Sequence, residues 1–294
     1  MVTRRRAGWV LAAAIATAGL TVAAQPAPAA GAPRRIISLV PALTEMLFAI
    51  GAGPQVVAVS SFDTHPPEVT RLPRVGALLD PDVERVLSLT PDLVAVYGSQ
   101  VDLKRQLERA SIPVFDYRHA GLAGLFTTMR ALGVRTGHTA RAEEVARGLE
   151  RRIDEVRSRT AARPAPRVLL VFGREQGSLR NIYASGGRGF LHDMLLAAGG
   201  VNVFADVAQE AVQATTELVL ARAPDVILEL HERADWTDAD SAQARTMWSR
   251  LAGVPAVKQG RVVILGGEGL VVPGPRVADA VERLAEAVHP VAAR

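Results

Sequence analysis

No cysteine occurs in the 294 residues. Its absence excludes a disulfide framework, a thiolate nucleophile, a cysteine-held metal and an acylated cysteine that could tether the chain to a lipid surface. Aromatic residues make up only 4%, and no stripe of Lys or Arg interleaved with aromatics is present, which argues against a nucleic-acid partner. The net charge of +4 includes Arg4, Arg5 and Arg6 of an N-terminal leader, so the rest carries 4 − 3 = +1. After residue 30 no run is apolar enough to cross a membrane. No Gly-x-Ser-x-Gly elbow and no Walker-type phosphate loop occurs. Gly186-Gly187-Arg188-Gly189 resembles a dinucleotide loop only loosely and lacks its spacing. His65, His119, His138, His192, His231 and His289 show no His-x-x-x-His or similar ligand spacing. No Asp/Glu pair stands out as general acid and base. The expectation is a protein that is not an enzyme, with no catalytic residue, no metal site of its own and no permanently bound cofactor.

What is present begins with an export signal. Three arginines precede the apolar run Trp9–Ala24, and Val22-Ala23-Ala24 or Ala27-Pro28-Ala29 offers a small-residue cleavage site. That run of about 16 residues is short for a membrane span. Residues 1–30 are therefore expected to be a cleaved signal peptide, and the mature chain a periplasmic protein without a lipid anchor.

The stretch Thr139 to Arg163 carries Ala142, Val145, Ala146, Leu149, Ile153 and Val156 at helical spacing, with Arg and Glu between them. Thr139 can cap its start and Pro164 stops it. About 20 helical residues reach roughly 30 Å, a domain's width. Before it, strand and helix alternate: strands over 36–40, 56–59, 93–97 and 113–117, helices over 41–50, 83–89 and 103–110. After it the same order returns, with strands over 168–172, 201–204, 226–230 and 261–265 and helices over 189–198, 216–223, 236–251 and 276–288. This alternation predicts parallel sheets covered by helices.

Glu84 to Val94 is echoed by Glu217 to Ile227, with Glu, Pro and Asp each 133 positions apart (84 to 217, 91 to 224, 92 to 225). Two copies mean two related lobes rather than a solenoid. The predicted fold class is α/β, two similar Rossmann-like lobes joined by one long backbone helix. The expected boundaries are an N-terminal lobe over 34–121, a helical linker over 122–163 with its backbone helix at about 140–162, and a C-terminal lobe over 164–294.

Two such lobes leave a cleft, and ligands sit there beyond the carboxyl ends of the strands. The loops that follow strands carry Phe62, His65, Tyr97, Tyr117, His119, Arg174, Arg180, Tyr183 and Glu268. Aromatic faces with a few convergent polar groups suit a large, flat, partly apolar guest. All three tyrosines are expected to end or follow strands. Glu84 and Glu217 each open a helix in an equivalent place. An acid there is favoured by the positive helix end; equally, two acids, one per lobe, would form a symmetric pair of contacts for a two-fold symmetric partner whose arginines bind carboxylates.

The run Ile36–Gly51, then Val57–Phe62, Pro66-Pro67, Val75-Gly76 and Glu84–Val94, resembles the iron-complex and cobalamin periplasmic binding proteins of ABC importers, over about residues 34–290. The resemblance implies a class III, helical-backbone solute-binding protein with little hinge closure. It implies a monomer delivering a small-molecule chelate to a homodimeric ABC permease and its ATPase. It also implies that Glu84 and Glu217 dock onto permease arginines. Phe62, Tyr97 and Tyr183 stand where the cobalamin branch has aromatic contacts, and Glu268 near an acidic one, while Leu78, Ala211 and Val272 replace two tryptophans and an arginine. Ser60-Ser61-Phe62 and Pro66-Pro67 resemble that branch, so the expected ligand is cobalamin or a related corrinoid, with haem or a ferric siderophore as the alternative. In the haem or siderophore case His65, Tyr117 or His119 would ligate iron.

Overall fold

The structure is a computed structural model describing residues 31–290; the signal peptide expected over 1–30 and the last four residues lie outside the described residues. In the first lobe β1 (Ile36–Ser38), α1 (Pro41–Ala49), β2 (Val56–Val59), α2 (Val83–Ser88), β3 (Leu93–Tyr97), α3 (Val101–Arg109) and β4 (Val114–Tyr117) follow one another. The strands form a wholly parallel sheet in the order β2-β1-β3-β4. Such strands are covered on both faces and so read as unbroken apolar runs. Alternate residues divide between the two faces. Ile36, Leu93 and Ala95 face the second lobe's side, while Ile37, Val94 and Val96 pack with Val86 of α2 and Leu103 of α3.

The linker is helical: α4 (Gly121–Thr136) leads into the long backbone helix α5 (Thr139–Thr160). Gly137 ends α4 in the left-handed conformation at φ 81°, a region glycine enters without steric cost. Thr139 does not cap α5: His138 occupies the cap position, without a side-chain bond. Ala142, Ala146, Leu149, Ile153 and Val156 are buried as their spacing predicts. Arg130 of α4 forks onto Glu150 of α5 at 2.9 and 2.8 Å and reaches Glu143 at 2.7 Å.

The second lobe runs β5 (Arg167–Gly173), β6 (Ile182–Ser185), α6 (Phe190–Ala197), β7 (Val201–Asn202), β8 (Ala211–Ala214), α7 (Thr216–Arg222), β9 (Val226–His231), α8 (Asp238–Trp248), α9 (Pro255–Lys258), β10 (Val262–Gly266) and α10 (Val277–Val288). β7, β5, β9 and β10 lie parallel and reproduce the order of the first sheet. The return is not complete, however. β6 and β8 form an antiparallel pair laid against β5, and neither is among the expected strands.

The sequence echo is also a structural one. The Asp92 carboxylate accepts the N–H groups of Arg34 and Arg35 at 2.7 and 2.8 Å, and Asp225 accepts that of Arg167 at 2.9 Å. Arg35 donates to the Leu89 carbonyl at 2.6 Å and Arg167 to that of Arg222 at 2.8 Å. The residue before each Pro-Asp is left-handed, Thr90 at φ 43° and Ala223 at φ 44°. A non-glycine residue there costs roughly 1–2 kcal/mol, part of which glycine's freedom in the unfolded chain would offset. Ala223→Gly should therefore raise the thermal midpoint by about 2 °C. An unchanged or lower midpoint in a calorimetric scan would show that the Ala223 methyl contributes more by packing than it costs in strain.

Besides a buried cluster of its own in each lobe, the chain has one that joins the two. Met46 and Leu47 of α1, Met129 and Leu132 of α4, Ala146 of α5, Met194 of α6 and Leu284 of α10 belong to one buried cluster. Each fully buried large side chain contributes about 1.5–3 kcal/mol. Arg152 of α5 binds Glu282 of α10 at 3.1 and 2.9 Å. Among the described residues one ion pair crosses directly between the lobes, and a second contact ties the second lobe to the linker. Glu45 of α1 and Arg276, just before α10, form a two-pronged pair at 2.6 and 3.0 Å, with side chains 4% and 19% exposed. Asp193 of α6 accepts the Leu122 N–H at 3.0 Å, satisfying a donor that α4 leaves free at its first turn.

Candidate functional site

β1, β3 and β4 of the first lobe and β5 of the second end on one cleft of about 460 Å³. The first lobe supplies Val40–Ala42, Tyr97, Tyr117 and His119. The second supplies Phe172, Arg188, Phe190, Leu191, Glu210, Ala211 and the Val271–Pro273 segment. The cleft is thus mostly apolar with a few polar groups, the usual make-up of a small-molecule site.

Tyr97 and Tyr117 end neighbouring parallel strands in register, so their rings meet edge to face, 5.4 Å apart at 85°. The Tyr117 hydroxyl lies 3.2 Å from His119 Nδ1, and the His119 ring meets Phe190 of the opposite lobe at 5.9 Å. Burial pushes the Tyr117 phenol above its ordinary range, and Tyr97 and Glu210 push it further. Burial and then Glu210 act the same way on Tyr97. Both phenols are therefore neutral across the physiological range.

The Val271–Pro273 wall is held from behind. The Glu232 carboxylate accepts the N–H groups of Leu270 at 2.8 Å, Val271 at 3.0 Å and Gly269. Among the described residues no group of three His, Cys, Asp or Glu is placed to hold a metal ion.

Of the residues singled out in the sequence, Tyr97, Tyr117 and His119 come together in this cleft. Phe62 and His65 share the loop after β2 but do not line the cleft floor; Phe62 is 70% exposed. That loop is held by Asp63, whose carboxylate accepts the Ser60 N–H at 2.8 Å and its hydroxyl at 2.6 Å. Burial raises the Asp63 pKa in spite of those bonds. Tyr183 lies within β6, not after a strand as expected, and faces Phe172 at 6.5 Å from a 42% exposed position. Glu268 is exposed on the glycine-rich loop after β10, and Arg180 is exposed between β5 and β6.

Arg174 is turned away from the cleft. It is 6% exposed and binds Glu229 at 2.9 Å. Glu229 also accepts the Trp248 indole N–H at 2.6 Å and shares a 2.8 Å hydrogen bond with His231. Burial works to raise the Glu229 pKa, but its bonds to His231, Trp248 and Arg174 outweigh it and leave the carboxyl below the ordinary range. Arg174 lines a separate polar pocket of about 200 Å³ with His231 and Trp236.

Glu84 and Glu217 are exposed in the first turns of α2 and α7, which Asp82 and Thr215 cap. The Glu217 carboxyl is held below its ordinary range first by its own backbone N–H, then by the Thr215 and Thr216 hydroxyls.

Four aromatic or charged cleft residues escaped the sequence reading: Phe172, Phe190, Arg188 and Glu210. Phe172 could have been found, since it closes a predicted strand. The other three flank β6 and β8, short segments with little apolar alternation to betray them.

The description "Periplasmic binding protein" matches residues 36–268. An uncharacterized ABC transporter substrate-binding lipoprotein, YvrC, of Bacillus subtilis is 29% identical over 265 residues, 88% of this chain and 81% of the relative. The periplasmic vitamin B12-binding protein BtuF of Vibrio cholerae is 26% identical, with a TM-score of 0.74 over 87% of this chain and 96% of that one. The periplasmic heme-binding protein RhuT from Roseiflexus sp. RS-1, in apo form, is 27% identical, with a TM-score of 0.71 over 88% of this chain and all (100%) of that one. These relatives are substrate-binding transport proteins, a role that implies a permease and an ATPase as partners. With a family match spanning 36–268 and the two-lobed cleft in place, this chain belongs to the periplasmic binding protein family.

Proposed function

We propose that this chain captures a corrinoid in the inter-lobe cleft and delivers it to an ABC permease. The observation that carries the reading is an apolar ledge continuing the cleft outward. Phe62 is 70% exposed, Leu78 38% and Leu79 94%. The Gln100 side chain accepts the Tyr97 N–H at 2.9 Å and donates to the Leu78 carbonyl at 3.0 Å, which ties the ledge to the cleft rim. The Ser61 N–H donates to the Gly76 carbonyl at 2.7 Å and draws the Phe62 loop to the same side. Exposed apolar side chains grouped beside a cleft mark surface that a ligand covers. A macrocycle with a bulky tail would fill the floor and lie across this ledge.

Calorimetry of the mature protein with cyanocobalamin should give saturable one-to-one binding. No heat with cyanocobalamin, alongside binding of haemin, would transfer the assignment to haem. That second reading is supported by the Tyr117–His119 pair, an oxygen and a nitrogen 3.2 Å apart on two residues that line the cleft, both donor types that ferric iron takes. It requires a Soret shift lost in Tyr117→Phe or His119→Ala.

Export follows from residues 1–30 as a cleaved signal, and the lack of cysteine in the chain supports a mature periplasmic protein without a lipid anchor. Delivery is assigned to Glu84 and Glu217. Each is followed three positions on by an exposed leucine, Leu87 at 37% and Leu220 at 42%, again 133 positions apart. Repeated buried residues serve the fold twice. Repeated exposed ones have no such cause, and a two-fold symmetric partner meeting both lobes supplies it.

A further inference from the structure

Two charged side chains on the second-lobe wall have no part in holding the fold. Arg188 and Glu210 line the cleft and are exposed. Neither enters an ion pair among the described residues. They belong to the segment around β6 and β8 that the first lobe lacks, and so to the part of the chain that the repeat does not explain.

Their backbone is nevertheless built with care. The Gly186 N–H donates to the Glu210 carbonyl at 3.0 Å, the Gly187 N–H to Val207 at 2.8 Å and the Arg188 N–H to Gln209 at 3.3 Å. The buried Asn202 amide donates to the Gly186 carbonyl at 2.9 Å. A Cβ at Gly186 or Gly187 would collide with the Gln209 or Ala205 carbonyl; this is why glycines stand before Arg188. Glu210 lines the same cleft as Tyr97 and Tyr117, and its charge adds to the burial that raises both phenols.

We propose that Arg188 is the specificity-determining residue of the cleft, taking an anionic oxygen group at the ligand's edge, while Glu210 turns a second anion away. This rests on the tetrapyrrole reading above and names the substituent that the site reads. A guanidinium presents a planar fork that matches carboxylate or phosphate oxygens two at a time. Phe172 and Phe190 beside it reduce screening by water once the ligand is seated. The hydrogen-bonded platform keeps the ordering cost low. Glu210 supplies the repulsive element that fixes which edge of the ligand meets which wall. The anionic group has two sources, the phosphodiester of a corrinoid's nucleotide tail or the propionate of a porphyrin.

Calorimetric titration of the wild type, Arg188→Lys and Arg188→Ala separates them. The probes are cyanocobalamin against dicyanocobinamide, which lacks the phosphodiester tail, and haemin against its dimethyl ester. For whichever macrocycle binds, the wild type should prefer the anionic member by about tenfold or more. Arg188→Ala should erase that preference by weakening the member that carries the anionic group about tenfold more than the other, and Arg188→Lys should keep part of it. The comparison is a double-mutant cycle, so other contacts of the tail cancel. Arg188 is exposed, and an unchanged melting curve will show that the variants fold. A preference that survives Arg188→Ala, or equal weakening for both members, overturns the proposal and leaves the tetrapyrrole reading standing. Failure of all four probes to bind overturns both.

Discussion

Reversing the charge at both Glu84 and Glu217 is expected to abolish transport while ligand affinity stays unchanged. Both carboxylates are exposed on the first turns of equivalent helices, and neither lines the cleft. Exposed side chains of this kind seldom matter for stability. At an interface the same charges set on-rate and orientation, and a like-charge contact is strongly unfavourable. With arginines on the partner, Glu84→Arg and Glu217→Arg together put two repulsive contacts at symmetric positions. Uptake in reconstituted vesicles should fall by at least about a hundredfold. Either single reversal should retain part of the activity, since the opposite lobe still docks. Calorimetry on the double variant reports separately on the cleft. Lost affinity there, or undiminished transport, would show that these residues serve the lobes and not the partner.

Glu45→Ala should cost about 3–5 kcal/mol of stability, the largest loss expected from a single side chain here. The Glu45 carboxylate is 4% exposed and meets Arg276 at 2.6 and 3.0 Å. Removing it leaves a guanidinium desolvated between the lobes without its partner. Replacing both residues by apolar ones of similar size, Glu45→Met with Arg276→Met, should recover most of the loss, because a well-packed apolar pair matches a buried ion pair. Urea unfolding of the two variants tests this directly. A small loss for Glu45→Ala would mean that water reaches Arg276, and hence that the lobes part in solution. The pair also lies close to the cleft: Gly274, which adjoins Glu45, follows the Val271–Pro273 wall. The same variant is therefore expected to weaken ligand binding along with stability.

The repeat of Glu84–Val94 and Glu217–Ile227 could be read directly because each of its features is local. A capped helix, a left-handed residue, a Pro-Asp turn and an apolar strand occupy about a dozen consecutive positions, and each leaves its mark in residue type. For the same reason Tyr97, Tyr117 and His119 were legible: the two tyrosines end predicted strands and His119 follows one. The first helix of the linker, α4, was less legible because its apolar residues are mixed with glycine and threonine. β6 and β8 were hidden altogether. Their strand character comes from pairing with β5 and with each other, not from their own alternation.

The amino-acid order by itself determined two α/β halves, the helix between them, the lack of any cysteine chemistry and the first lobe's side of the cleft. These depend on hydrogen bonds and burial patterns within a few residues of one another. Only the tertiary structure decided that one buried cluster joins the halves, that Arg174 turns inward to Glu229, and that Arg188, Phe190 and Glu210 line the opposite wall. Glu45 meets Arg276 across 231 positions, and Leu122 meets Asp193 across 71. Such contacts are chosen by how whole layers pack, a condition that no periodicity along the chain records.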